Sequence, residues 1–154
     1  MIILGIDPGI ARTGYAFLKH TGKETSLLEC GCITTKAGTA EPARLLEIKK
    51  DLTTLIKKLK PDSACIESLF FETNVKTAMT VGQARGMVMV TLAEAGLKMI
   101  EVTPLQVKMS TTGYGKADKK QVQTMIVKLL KLKKIPKPDD AADACAIAWS
   151  GIGR

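Results

Sequence analysis

The first six residues, 1–6, form an uninterrupted apolar run that ends directly on Asp7-Pro8-Gly9. A run of this length, closed by proline and glycine, predicts a buried strand at the centre of a sheet. Continuous apolar strands of this kind are typical of α/β sheets that helices cover on both faces. In such folds the carboxyl end of a strand is the usual place for a site, and this end is occupied by Asp7.

The rest of the chain alternates between strand patterns and helix patterns. The order of these patterns predicts an α/β fold with a five-stranded mixed sheet flanked by helices on both faces. Gly31 is expected to mark a bulge in the third strand. The 154 residues suffice for one core and are too few for two, which predicts a single domain over 1–154. The expected strands are 1–6, 13–18, 25–35, 63–67 and 98–103, and the expected helices are 41–59, 75–95, 104–110, 119–132 and 139–149.

The predicted helix 75–95 is apolar over most of its surface. A helix that is apolar nearly all round should be buried on two sides. In a domain of this size, the second side is predicted to pack against another subunit. Gly96 is the expected C-terminal stop of this helix.

The composition points to a protein of a reducing compartment with no membrane partner. No apolar run approaches the roughly 20 residues that a membrane-spanning helix needs. The apolar N-terminus lacks the basic segment of a signal peptide and meets an aspartate at once. The cysteines lack the paired spacing of a zinc site and are interpreted as reduced structural thiols, which predicts a cytoplasmic protein. They are Cys30, Cys32, Cys65 and Cys145.

The whole net charge of +8 comes from one stretch, residues 108–137, which we call the basic block. It contains nine lysines against a single acid, Asp118, and the remaining chain is neutral. A segregated cationic block attracts a polyanion, and nucleic acid is the expected one. The alternative is a solvated surface with ordinary lysines. The lysines are Lys108, Lys116, Lys119, Lys120, Lys128, Lys131, Lys133, Lys134 and Lys137.

Four carboxylates stand where apolar segments end or helices begin. Asp7 and Glu67 each close an apolar strand, and Asp140 and Asp143 share one face at the start of the last helix. If the four converge, mutual repulsion must raise some of their pKa values, and a divalent cation would relieve it. Hard cations such as Mg²⁺ prefer carboxylate oxygens. The four acids therefore predict a metal site, and two ions in such a site can promote phosphodiester hydrolysis.

Three of these acids also have a structural interpretation, whereas Asp143 precedes the apolar run 144–148 and is expected to point inward. Asp7 is placed to cap its own turn, and Glu67 to bend into solvent at its strand end. Asp139 or Asp140 is placed to cap the last helix, where negative charge is favoured in any case. From position alone these alternatives stay open.

Four motifs, in order and spread over nearly the whole chain, resemble those of the bacterial RuvC-type Holliday junction resolvases. Singly, D-P-G or D-A-A-D is a weak signal, whereas the ordered set with G-Q-A-R-G in the middle helix is specific. The motifs are Asp7-Pro-Gly-x-x-x-Thr13-Gly14, Ile66-Glu67 with aromatic residues just after it, Gly82-Gln83-Ala84-Arg85-Gly86, and Asp140-Ala-Ala-Asp143-Ala.

The resemblance implies an RNase H-like fold and a homodimer formed through helix 75–95. It also implies a Mg²⁺-dependent endonuclease, with Mn²⁺ as a substitute, that makes paired symmetric nicks in four-way DNA junctions during recombination and repair. A branch-migration motor complex is the further partner that it implies. Two departures stand out: Asp139 adds an acid beside the last motif, and the chain ends at Arg154, where many relatives continue with a polar tail.

The resemblance also assigns roles to residues. Asp7, Glu67, Asp140 and Asp143 match the catalytic acids that bind the metal. Phe70 matches an aromatic that contacts or unstacks bases near the crossover, while Phe71 is interpreted as core. Lys108 and Lys119 match lysines that meet DNA phosphate, and Lys116, Lys120 and Arg85 complete the expected DNA contacts.

The mechanism that we expect is hydrolysis with two metal ions. Asp7 would bind both ions, Glu67 would help to hold one, and Asp140 with Asp143 would hold the other. The resemblance implies products with 5′-phosphate and 3′-hydroxyl ends.

Three rival functions are compatible with parts of the sequence. The turn from Asp7 to Gly14 also looks like the first phosphate loop of the actin and sugar-kinase superfamily, but such proteins need a second lobe. Another RNase H-like nuclease, which cuts RNA–DNA hybrids or ribosomal RNA, would share the acids but not the G-Q-A-R-G helix. A non-catalytic junction-binding module would not need the full acid set.

Overall fold

The sheet is built around the N-terminal strand, as the sequence predicts. The computed structural model describes residues 1–68 and 75–154, without the side chains of 75–77. The strand order is β3-β2-β1-β4-β5, with β1 in the centre. β1 pairs antiparallel with β2 and parallel with β4, and β5 runs parallel to β4. The strands are β1 (Ile2–Asp7), β2 (Arg12–His20), β3 (Thr25–Thr34), β4 (Ser63–Glu67) and β5 (Lys98–Val102).

Helices cover both faces of this sheet, and each face has its own apolar cluster. α1 and α2 pack on one face through residues such as Leu52 and Val88. α3, α4 and α5 pack on the other through Val107, Ile126 and Ile147. The predicted five-stranded mixed α/β architecture is confirmed. The helices are α1 (Glu41–Leu59), α2 (Val75–Glu94), α3 (Pro104–Thr112), α4 (Lys119–Leu129) and α5 (Asp139–Ser150).

Helix α5 lies unusually close to the centre of the sheet because two glycines leave room for it. A Cβ atom at Gly5 of β1 would collide with the backbone of Ala144 and Ala148, and one at Gly14 of β2 would collide with the carbonyl of Asp140. Since these obstacles are backbone atoms, a side chain at either glycine would force the helix away from the sheet. This contact places the first turn of α5 directly over the ends of β1 and β2.

Helix α2 presents two apolar sides, as the sequence predicts. Ala84, Val88 and Leu92 are fully buried against the sheet, whereas Met79 and Val90 on the other side are 65% and 54% exposed. Gly96 ends the helix with a φ of +68°, which confirms the predicted stop. None of the described helices is long and apolar enough to cross a membrane.

Two local predictions are wrong. The bulge in β3 lies at Leu28 and not at Gly31, because Phe17 pairs with Glu29 and Leu18 pairs with Leu27. Gly31 pairs regularly with Tyr15, and its missing side chain leaves space for the Tyr15 ring. The helix expected over 119–132 ends at Leu129, since the backbone turns left-handed at 131.

Candidate active site

Three of the four predicted acids line one cleft at the carboxyl edge of the central strands. Asp7, Glu67 and Asp143 face a volume of about 240 Å³, together with Lys108 and Lys119. The fourth acid, Asp140, lies at the rim of the cluster rather than in the cleft lining. Residues that are up to 136 positions apart in the chain thus form one site.

The two strand-end acids are neighbours because their strands are parallel neighbours. Ile6 pairs with Ile66, so Asp7 and Glu67 leave the same edge of the sheet side by side. The turn after Asp7 is held by a hydrogen bond of 2.7 Å that the buried Thr13 hydroxyl donates to the Gly9 carbonyl. The described residues provide no hydrogen bond to the Asp7 carboxylate, so Asp7 does not act as a cap of its turn.

The first turn of α5 supplies the helical acids. The N-cap position is held by Pro138, with no side-chain capping bond, which excludes the predicted capping role of Asp139 and Asp140. Asp143 points into the cleft, and Asp140 Oδ2 lies 3.7 Å from Arg12 Nη1. Asp139 instead points outward and pairs with Lys137 Nζ at 3.1 Å. Asp139 therefore lies outside the cleft lining, and it acts on Asp143 only as a nearby charge that contributes least to its raised pKa.

Burial and crowding make the cluster electrostatically unfavourable without a cation. Desolvation is the largest of the causes that raise the pKa of Asp7 to about 7, and repulsion from Asp143, Glu67 and Asp140 adds to it. Burial is also the main reason why the pKa values of Glu67 and Asp143 are raised. Glu67 is therefore a partly shielded member of the site, and its side chain does not turn away into solvent.

Two lysines of the basic block reach into this cleft. Lys119 Nζ lies 2.8 Å from Asp143 Oδ2, and this hydrogen bond raises the pKa of Lys119. Lys119 is the first residue of α4, whose N-terminus is fixed by a capping box between Asp118 and Gln121. Lys108 projects from α3 on the same side, and its charge partly offsets the raised pKa of Glu67. Lys116 and Lys120 are exposed beside this pair.

Arg85 of α2 stabilises the end of β4, the strand that carries Glu67. Its Nε donates to the carbonyl oxygen of Glu67 at 3.4 Å, and its Nη2 forms an ion pair with Glu101 of β5. Ser68 also connects the ends of β4 and β5, since its backbone N–H donates a hydrogen bond to the Val102 carbonyl at 2.8 Å. Arg85 therefore holds the end of β4 in place, and its direct contact with DNA stays a prediction. Phe70 and Phe71 lie outside the described residues.

Sequence reasoning missed the contributions of Arg12 and Gly5, and it included Gly14 only as part of the first motif. Arg12 pairs with Asp140 across the turn that follows β1. Its only signal in the sequence is its place between Asp7 and Gly14. The two glycines act through the close approach of α5, which no local pattern reveals.

The donor set has the chemistry that a hard divalent cation requires, since clustered carboxylate oxygens are its preferred ligands. Burial first, and repulsion between the acids second, raise the pKa values of Asp7, Glu67 and Asp143, and a bound cation would offset both effects. Among the described residues, no three acidic, histidine or cysteine side chains are already close enough to enclose an ion. Lys119 pairs with one of the candidate oxygens at 2.8 Å, and the residue types of the cluster fit a divalent cation.

A larger cavity of about 840 Å³ lies at the opposite end of the sheet, near His20 and Trp149. The only acidic side chain among its described lining residues is Glu24, which pairs with Lys131 at 3.1 Å. That cavity therefore lacks the carboxylate cluster on which the predicted chemistry depends.

One family model matches nearly the whole chain. The family model described as "Crossover junction endodeoxyribonuclease RuvC" matches residues 3–150. RuvC of Alkaliphilus oremlandii is 50% identical over 148 residues, which cover 96% of this chain and 90% of the relative. RuvC of Finegoldia magna is 49% identical over 152 residues, covering 99% and 93%.

Solved structures lead to the same family. The chain superimposes with a TM-score of 0.92 on Thermus thermophilus RuvC in complex with a Holliday junction substrate, at 32% identity, covering 97% of this chain and 92% of that one. The yeast mitochondrial Holliday junction resolvase shares the fold, with a TM-score of 0.70 at 15% identity and coverage of 96% and 76%. The chain belongs to the RuvC family of crossover junction endodeoxyribonucleases.

Proposed function

We propose that this chain is a single RNase H-like nuclease domain over 1–154 that binds four-way DNA junctions and cuts them with Asp7, Glu67, Asp140 and Asp143. The observation that carries the proposal is the convergence of Asp7, Glu67 and Asp143 in one cleft that also contains Lys108 and Lys119. Anionic ligands for a cation and cationic ligands for a phosphate thus meet within one volume. Family membership and the junction complex of the Thermus relative support this substrate.

The carboxylates are proposed to hold two divalent ions, Mg²⁺ or Mn²⁺. When bound, such ions supply a water that ionises near neutral pH and positive charge for the leaving oxygen. Repulsion from all three other acids contributes to the raised pKa of Asp7, and Asp7 is therefore proposed to contact both ions. Glu67 would hold one of them from the β4 side, and Asp140 with Asp143 the other from α5. The proposed products carry 5′-phosphate and 3′-hydroxyl ends.

The chain's own cations would place the scissile phosphate. Lys108 and Lys119 border the cleft from α3 and α4, where they can pair with phosphate oxygens that enter beside the acids. Asp143, which now pairs with Lys119, would hold the cation, and Lys119 would hold the phosphate. Lys116 and Lys120 continue the positive surface outward. Arg85 is kept as a further candidate contact.

The second apolar side of α2 supports a homodimer. Met79 and Val90 are separated by three turns on this side and are more than half exposed. Two copies related by a two-fold axis would bury these side chains and present two clefts to a junction of matching symmetry. A branch-migration motor is the further proposed partner, and the cytoplasm the proposed compartment.

The decisive experiment is cleavage of a synthetic four-way junction, with each strand labelled in turn, on a denaturing gel with Mg²⁺. We expect paired nicks at symmetric positions in strands of like polarity, with ends that DNA ligase can seal. An RNA–DNA hybrid and a linear duplex serve as controls. Cleavage of the hybrid in preference to the junction would instead favour a different RNase H-like nuclease.

Phe70 is predicted to act as a wedge at the crossover, as apolar side chains do at distorted base steps. Replacing Phe70 with Ala should slow single-turnover cleavage by roughly 10-fold or more, and should weaken junction binding by less, because unstacking is needed mainly to reach the reactive geometry. Phe71→Ala is the matched control, and it should lower thermal stability instead. Equal cleavage rates for Phe70→Ala and the wild type would exclude the wedge.

A further inference from the structure

The loop between α3 and α4 presents an aromatic ring to solvent. Tyr114, between the end of α3 and the start of α4, is 56% exposed. Aromatic rings that stay exposed beside a functional cleft are characteristic of binding surfaces. Tyr114 is not among the residues that line the cleft of the acid cluster.

The backbone under Tyr114 is firmly held. Its N–H donates to Thr112 Oγ1 at 3.0 Å, and its carbonyl accepts the N–H of the buried Ala117 at 3.0 Å. Gly113 ends α3 in the left-handed region with a φ of +71°, and its N–H donates to the Met109 carbonyl. The ring is thus presented from a fixed base, and little backbone entropy would be lost when a ligand packs against it.

Apolar surface continues on both sides of the ring. Leu105 and Met109 stand one turn apart on α3, are 60% and 50% exposed, and flank Gly115 of the loop. On the other side, Tyr114 and Met125 border a shallow groove of about 430 Å³, which also includes Lys120. This volume suffices for a nucleobase with its sugar.

Positive charge surrounds this apolar surface. Lys116 and Lys120 flank the loop, and Lys108 of α3 connects it to the acid cleft. The one acid of the basic block, Asp118, is engaged in capping, since its Oδ1 accepts the Gln121 N–H at 2.8 Å. An apolar surface bordered by cations complements a ligand with flat apolar faces and regularly spaced anions, which describes a nucleotide chain.

We infer that the Tyr114 ring packs against the apolar face of a nucleotide, base or sugar, in the DNA strand that leaves the catalytic cleft over the α3–α4 loop. This inference rests on the proposed junction-cutting function and extends its DNA surface beyond the lysines. Tyr114 acts as a positioning residue: it fixes the strand beside the scissile phosphate and performs no chemistry.

The test compares junction binding and single-turnover cleavage for Tyr114→Ala, Tyr114→Phe and Lys120→Ala. Tyr114→Ala should weaken binding by about 5-fold or more, in the range of one lost stacking contact. Its dependence on salt should equal that of the wild type, because the ring neutralises no phosphate, whereas Lys120→Ala should lower the salt slope by about 1. Tyr114→Phe should bind like the wild type. Leu46→Ala, at a 67% exposed position of α1, controls for loss of exposed apolar surface.

A junction with an abasic site beside the cleavage position distinguishes stacking of the ring on the base from packing on the sugar. If the ring stacks on the base, Tyr114→Ala causes no further loss on this substrate; if it packs on the sugar, the loss persists. Unchanged affinity of Tyr114→Ala, or an equal loss with Tyr114→Phe, would overturn the inference. Cleavage by the wild type would still uphold the proposed function in that case.

Discussion

Replacing Asp7 with Asn is expected to abolish junction cleavage while leaving junction binding intact. Asp7 is electrostatically coupled to all three other acids, and it is proposed to bind both cations. An amide of the same shape cannot supply the negative charge, and a loss of about 4 kcal/mol of transition-state stabilisation slows the reaction by about 10³-fold. Binding should stay equal or tighten, because one repulsive charge near the phosphates is removed. Single-turnover gels and fluorescence anisotropy measure the two effects.

Asp139→Asn is the matched control for this variant. It also removes one carboxylate at the start of α5, but Asp139 pairs with Lys137 outside the cleft. Its cleavage rate should stay within about 3-fold of the wild type, as for most substitutions of exposed charges. Cleavage by Asp7→Asn at the wild-type rate would disprove the proposed site, and a large loss in Asp139→Asn would place that residue in the metal site.

Asp7 and Glu67, the acids at the ends of β1 and β4, could be predicted because the sequence pattern that identifies them is local. An apolar run that ends in a carboxylate fixes both the strand and the edge at which the side chain emerges, and the parallel pairing of β1 and β4 then brings Asp7 and Glu67 together. The helical pair was harder to resolve. A separation of three residues places Asp140 and Asp143 on one side of α5, but it does not tell which one enters the cleft.

What sequence reasoning missed depends on contacts between distant segments. Gly5 and Gly14 matter because α5 crosses the sheet at those points, which is a property of the packed helix and not of the strands. Arg12 matters because its turn folds over the first residues of α5. The bulge was misplaced for a similar reason, since the need for glycine at position 31 arises from the Tyr15 ring on the neighbouring strand.

The same Asp7→Asn substitution is expected to stabilise the metal-free protein at alkaline pH. In the folded state the pKa of Asp7 is raised to about 7 from 3.8. A folded-state pKa above the unfolded one means that stability is fully present below about pH 4 and is lost as the pH rises through 7. The asparagine side chain does not ionise, so the variant has no such loss of stability. The variant should therefore match the wild type near pH 4 and exceed it by up to about 4 kcal/mol at pH 8, which corresponds to roughly 10 °C in Tm.

Urea unfolding in EDTA across pH 4 to 8 measures this difference, and added Mg²⁺ provides the internal control. A bound cation relieves the repulsion, so Mg²⁺ at pH 8 should stabilise the wild type and have much less effect on Asp7→Asn. Asp139→Asn should show neither effect, because the pKa of Asp139 is lowered by Lys137 rather than raised. A wild-type stability that does not fall between pH 4 and pH 8 relative to Asp7→Asn would mean that Asp7 ionises freely. The acids would then not form the crowded, cation-stabilised cluster that the proposed chemistry requires.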